Sequence, residues 1–464
     1  MLTREPVQAS DAPGPAADAV ASPSGAPVST APIVARGFPQ RRALNDEVHA
    51  RPPERLVAPV RVSFVALLAD AREREQAWEA LHALAGRYGR STDRPVADHY
   101  SADLGPFRVK AERHTEFVRF KFIVAGLGDG GERDPFGGPA IGAVPQSWLA
   151  ELPGQLLVAT HVAILAAHGA ADPPAIARQF FAPDELLGAT IASGAGSAFT
   201  DLRIREDGFG RLIIFDRGMT PGQLGRALQR LLEMDTYRML ALLAFPVARK
   251  LIPVLTEAET ELASITTALV RAAEPDEPAL LDRLTRLAAA IESRQSETLF
   301  RFTASASYYD LTQRRTAELR EERIQGLQTF REFTERRLEP AMRTCAAVTA
   351  RQEALSVRVD QATKLLATRV DLSTERQSHA LLASMNRRAQ LQLRLQETVE
   401  GLSVAAVTYY IVGLVGHAAE GLEGAGLPIR PAVAMGAAIP FVLLAVAFGI
   451  RRIRRRVTRG ATEP

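Results

Sequence analysis

The chain of 464 residues has one cysteine, Cys345, so it can close no intramolecular disulfide. That thiol has no clear histidine or asparagine partner nearby, and it reads as a small apolar residue on a helix. Lysine is almost as scarce. Lys110, Lys121, Lys250 and Lys364 are the whole set, and arginine supplies nearly all the positive charge. The formal net charge is only +3, and the arginines alternate with acids along helices instead of forming a patch. This removes the case for a nucleic-acid partner. Residues 1–35 lack any unbroken apolar run, because Pro and Asp interrupt each candidate. A secretory signal is therefore not expected, the tail reads as disordered, and the body that follows is expected on the cytoplasmic side.

Patterns for catalysis are missing as well. The Gly-rich stretch "ASGAGSAF" at 192–199 lacks the Gly-Lys-Ser/Thr ending of a phosphate loop and reads as a turn before a strand. His99, His114, His161 and His168 are dispersed, and no Ser, His and Asp set has a recognisable spacing. The arm "NDEVHARPPERL" gathers Asp46, Glu47, His49, Arg51 and Arg55 within a few residues. An enzyme could use such a set, but in extended chain alternate residues face opposite ways, so Glu47, His49 and Arg51 share a side while Asp46 does not. No second His or Cys stands at zinc spacing. The arm is expected to dock by salt bridges or to form a subunit interface, and neither an enzyme nor a cofactor is expected.

What is present divides the chain. Residues 36–250 carry mixed signals: a strand near Val60–Leu68, a helix over Ala71–Tyr88 with Trp78, Leu81 and Leu84 on one side, and period-two alternation through Phe122. In that alternation Val118, Phe120 and Phe122 take one face and Arg119 and Lys121 the other, which predicts half-exposed antiparallel strands turning near His114 and Thr115. "QLLVATHVAILAA" suits a central strand. Asp207-Gly208 marks a hairpin, and Thr220-Pro221 starts a helix running to Leu243. The fold class expected is an α+β (α/β layered) cytoplasmic domain. Residues 251–400 read as long antiparallel helices ending in a stalk, with one very long helix over 280–340. Packing seams run through Leu355, Val359, Ala362, Leu366 and Val370, then Leu381, Met385, Ala389 and Leu393.

Residues 401–456 read as a transmembrane hairpin, followed by a short tail over 457–464. Leu402–Ala419 gives eighteen residues without acid, lysine or arginine, and Ala432–Ile450 gives nineteen more. About 20 helical residues cross the hydrocarbon, so each run just suffices. Arg387, Arg388 and Arg394 precede the first span, and Arg451, Arg452, Arg454, Arg455 and Arg456 follow the second, whereas the loop holds only Arg430 with Glu420 and Glu423. That bias places both termini in the cytoplasm, with the arginine run as topology anchor against lipid headgroups. In the first span Gly413 and Gly416 permit close helix approach, and Thr408, Tyr409, Tyr410 and His417 add polar groups.

The segments "LNDEVHARPPERL", "LLEMDTYRMLALLAFP" and "LSVAAVTYYIVGLVGH", with the terminal hairpin, resemble a bacterial domain-of-unknown-function family of membrane-anchored proteins over about residues 37–455. The resemblance implies an anchor in the bacterial inner membrane and no established activity. The overall architecture is also similar to that of the CorA-type magnesium channels, oligomers whose first spans line a pore and end in Gly-Met-Asn. Gly416 matches the signature glycine, but His417 and Ala418 stand where that family has Met and Asn. Alanine lacks the oxygen that holds a hydrated cation, and imidazole suits softer divalent ions. A channel reading makes Thr408, Gly413, Gly416 and His417 pore-lining, with Glu420 and Glu423 as acidic rings at the mouth and divalent cations as partners. A scaffold reading makes the same hairpin an oligomerising anchor through which no ion passes. Both readings expect the lipid bilayer and further copies of the chain as partners.

Overall fold

The structure, a computed structural model, describes residues 36–42, 44–45, 53–90, 98–128, 131–167, 172–425, 428 and 430–460. Their strands are β1 (Val60–Leu68), β2 (His99–Asp103), β3 (Arg108–Arg113), β4 (Phe117–Ala125), β5 (Gln155–Ala166), β6 (Leu187–Ile191), β7 (Gly196–Thr200), β8 (Gly210–Asp216) and β9 (Glu322–Arg323). The helices are α1 (Ala71–Arg87), α2 (Gln146–Ala150), α3 (Pro173–Ala177), α4 (Pro221–Leu242), α5 (Ala244–Arg271), α6 (Glu277–Glu318), α7 (Phe330–Arg337), α8 (Glu339–Gly424) and α9 (Pro431–Gly460). The chain forms two compact units, one from Met1–Lys250 with Thr298–Val348, the other from Leu251–Glu297 with Thr349–Pro464.

In the first unit the strands make one mixed sheet in the order β2-β3-β4-β1-β5-β8-β7-β6-β9. Only β5 and β8 pair in parallel among the named strands. In "VRVSFVALL" Val60, Val62, Phe64, Ala66 and Leu68 make one face wholly apolar, and the other adds Val65 and Leu67 to Arg61 and Ser63, which suits β1 to its interior place between β4 and β5. On one face Trp78, Leu81 and Leu84 of α1 pack with Val118, Phe120, Phe122 and Trp148. On the other, Leu224, Leu228 and Leu231 of α4 pack with Val62, Phe64, Ile164 and Ile214. The Thr220 hydroxyl accepts from the Gln223 N–H and starts α4 as its sequence predicts. The predicted hairpin joins β7 to β8, with Gly208 at φ +80° in its turn. In "ASGAGSAF" residues 192–195 form the turn between β6 and β7, and Gly196–Phe199 open β7.

Two expectations need correction. The charged face of β3 and β4 is not half-exposed: Arg119 and Lys121 are 2% and 3% exposed, because helices cover that side of the sheet too. The very long helix over 280–340 does not form. α6 stops at Glu318, β9 adds a two-residue strand beside β6, and α7 begins at Phe330. Leu319, Leu327 and Phe330 are all buried at the sheet, which a straight helix could not achieve, and Gly326 turns the chain at φ +81°.

The second unit is helical. Leu255, Leu262, Ile265, Leu280, Leu284 and Ile291 are buried together with Leu355, Val359 and Leu366 of the first predicted seam. Arg283 bonds Glu261 at 2.7 Å, Arg351 bonds Glu259 at 2.6 Å, and Arg369 bonds the buried Glu277 at 2.7 Å. In the second predicted seam Leu381, Met385 and Leu393 are exposed among the described residues.

Candidate functional site

The two apolar C-terminal helices pack on each other through small residues. Thr408, Val412, Gly416 and Ala419 recur at spacings of four, four and three, so they share one face of α8, and all four are buried. A Cβ at Gly416 would stand 2.6 Å from Met435 Sδ of α9, so the glycine lets the methionine side chain lie directly on the α8 backbone. Thr408 and Gly413 line a cavity of about 370 Å³ together with Val412, Met435, Ile439 and Leu443. The buried Thr408 hydroxyl has no hydrogen-bond partner among the described residues. The other face of α8 differs. His417 is exposed, with Nδ1 3.3 Å from Glu420 Oε2, and Glu423 is exposed further on. The structure thus brings Thr408, Gly413 and Gly416 together against α9 and leaves His417, Glu420 and Glu423 outside that contact. Arg451 and Arg452 are exposed on α9, whose helical backbone continues through Arg454, Arg455 and Arg456.

Three helical stretches are long and apolar enough to cross a membrane by length and composition: Pro221–Arg271, Phe330–Gly424 and Pro431–Arg452. The last has a mean hydropathy of 2.4 and none of its apolar window buried, against 33% for the first.

Glu47, His49 and Arg51, with Asp46, lie outside the described residues. The arm they lead into is docked. Glu54 Oε2 pairs with Arg108 at 3.1 Å, Ser101 donates to Glu54 Oε1 at 2.9 Å, and the Leu56 N–H donates to the Pro221 carbonyl at 3.1 Å. A Cβ at Gly225 of α4 would stand 1.6 Å from the Glu54 carbonyl oxygen, so the arm crosses α4 where the helix has no side chain.

The densest polar cluster in the sheet unit is the one that the alternating pattern concealed. Arg119 donates from Nε to Glu112 at 3.0 Å, reaches the same carboxylate through Nη2, and donates to Glu233 at 2.9 Å. Glu233 also accepts from Gln229 at 2.8 Å and from Arg315 of α6 at 2.5 Å. Lys110 and Lys121 approach Glu112 Oε1 at 3.6 and 4.0 Å. Burial pushes the Glu112 and Glu233 carboxyls up, but Arg119, with the other donors around them, outweighs it and holds both below the usual carboxylate range. Burial, reinforced by the Arg119 charge, lowers Lys121 to about 8. Glu233 and Tyr237 both belong to the segment "LLEMDTYRML". Glu112 Oε1 is buried without a hydrogen bond among the described residues and has only the ammonium groups of Lys110 and Lys121 near it, so the network fixes how β3, β4, α4 and α6 meet through Arg119, whose removal would strand charge in the interior.

A second polar pair joins residues far apart in sequence. The Ser63 hydroxyl accepts from the Ile141 N–H at 3.0 Å and so donates to His161 Nδ1 at 2.9 Å. His161 stacks on Phe209 at 3.9 Å, and burial, with Arg211 next, lowers its imidazole to about 4. Ser63 is fully buried, so the pair pins the 3-10 turn Ala140–Ala143 to β1 and offers no nucleophile to solvent. His99 and His114 lie elsewhere on the sheet, and His168 falls outside the described residues. Among the described residues no three of His, Cys, Asp and Glu gather where they could hold a metal ion.

The family described as protein of unknown function (DUF3422) matches residues 36–457, and the chain belongs to it. No curated protein and no solved structure matches the chain. The architectural likeness to CorA-type channels draws no support from these comparisons.

Proposed function

We propose that the chain is an inner-membrane protein with two spans, in α8 and α9, which holds a large cytoplasmic body at the bilayer as an oligomeric scaffold. The observation that carries this is the exposure of α9: Val433, Phe441, Leu444 and Phe448 face outward, where water would make so large an apolar surface costly and lipid would not. Gly416 against Met435 is the close, small-residue contact that helices use in lipid, where the hydrophobic effect cannot drive them together. Arg451 and Arg452, which follow the apolar run of α9, and Arg387, Arg388 and Arg394 before the first span, favour a cytoplasmic location for both ends.

The third apolar stretch is assigned to the body. α4 buries Leu224, Leu228, Leu231, Leu232 and Leu240 in the sheet core, and Arg249 with Lys250 interrupts the continuation into α5. Oligomerisation is inferred from the stalk, whose Leu381, Leu382, Met385 and Leu393 are exposed among the described residues. The test is alkaline carbonate extraction of membranes from cells expressing the full chain. The protein should stay in the pellet until detergent is added; release by carbonate alone would overturn the reading.

A further inference from the structure

A polar pocket in the sheet unit lies outside everything used above. Its walls are the β6–β7 turn at Ala192 and Ser193, one side of α4 at Gln223, Arg226 and Arg230, and the end of α6 at Glu318 and Arg320. The Ala192 N–H donates to the Leu319 carbonyl at 3.0 Å, tying the turn to the α6 end. The volume is about 390 Å³, within the range of sites that hold metabolite-sized ligands.

Three arginines face one acid here, and that acid is already engaged. Glu318 takes Arg230 at 3.1 Å and Arg315 at 3.0 Å, which leaves Arg226 and Arg320 with no ion pair among the described residues. Arg226 and Arg320, both exposed and without an ion pair among the described residues, line this one pocket, and guanidinium groups suit the several acceptor oxygens of a phosphate group, which can take bidentate bonds.

We propose that this pocket binds a phosphate group, presented by a soluble phosphate compound or by a lipid headgroup. The proposal does not depend on the membrane reading. The full chain in a neutral detergent is unfolded thermally while the fluorescence of Trp78 and Trp148, both buried in the same unit, is followed. One arm adds inorganic phosphate against sodium chloride of equal ionic strength, since salt alone screens the arginines. The other adds phosphatidic acid or phosphatidylcholine to the micelles. A higher midpoint with inorganic phosphate identifies a soluble ligand, and one with phosphatidic acid alone identifies a headgroup. In Arg226→Gln/Arg320→Gln, whose midpoint in chloride should equal that of the parent, apparent affinity should fall about tenfold or more. No shift with either probe, or a shift that survives the double substitution, overturns the proposal.

Discussion

Replacing Arg119 by Met should cost the sheet unit about 3 kcal/mol at neutral pH, the lower end of the range for breaking a buried ion pair. The magnitude follows from what stays behind. Glu112 is 0% exposed and Glu233 is 3% exposed, and both depend on the same guanidinium. Glu233 keeps Arg315 and Gln229, so its loss is partial. Glu112 keeps only lysines beyond hydrogen-bond reach, at 3.6 and 4.0 Å, with His114 at 3.7 Å. The sign with pH is also set. In the parent both carboxyls titrate below 4.5 in the folded state, so their stabilisation is present above that pH and is lost as acid protonates them. In Arg119→Met little of it exists to lose, so the difference between the two proteins should be full near neutrality and should close in acid. Urea unfolding read by Trp78 and Trp148 measures it, because both indoles are buried in this unit's core. A loss under about 1 kcal/mol at neutral pH, or one that stays constant into acid, would refute the stranded-charge reasoning.

Lys121→Met tests the same network from the basic side. With Lys121 at about 8 in the folded state and 10.5 as its ordinary value, the unfolded chain binds the extra proton between them. Parent stability should therefore gain about 3 kcal/mol relative to the variant across that window. Tyr237 and Tyr308, both raised by burial, act in the opposite direction at higher pH in both proteins and cancel from the comparison. Gly225→Ala places a methyl group on the Glu54 carbonyl; it should cost about 1–3 kcal/mol in urea unfolding and speed proteolysis of the arm.

Much of the sheet unit was legible because its signals are local. The capping box at Thr220, the Asp207-Gly208 turn and the long apolar run of β5 each announce their element within a few residues. The fate of Arg119 and Lys121 was not legible. Period two says which residues share a face and cannot say whether that face meets water, since the cover comes from α4 and α6 over a hundred residues later. The interruption of the 280–340 helix had one visible mark, Thr329 three residues before Glu332, which is the capping box that opens α7. Two residues of strand at β9 are too few for any periodicity to show. In the hairpin, the face shared by Thr408, Gly413 and Gly416 was readable as small-residue packing. The pocket of Arg226 and Arg320 could not be read, because a β-turn and two helix segments far apart in sequence build it.

Two C-terminal helices crossing a bilayer as a pair is the claim on which the functional reading rests, and site-directed thiol labelling reaches it most directly. With Cys345 replaced by Ala, single cysteines are placed at Glu423 in the last turn of α8, beside the loop, and at Ser378 on the stalk, both exposed positions. In right-side-out spheroplasts a membrane-impermeant maleimide should label the cysteine at 423 and spare the one at 378, which should react only after lysis. Labelling of both before lysis, or of 378 alone, would contradict a hairpin with its loop outside and the body of the chain within.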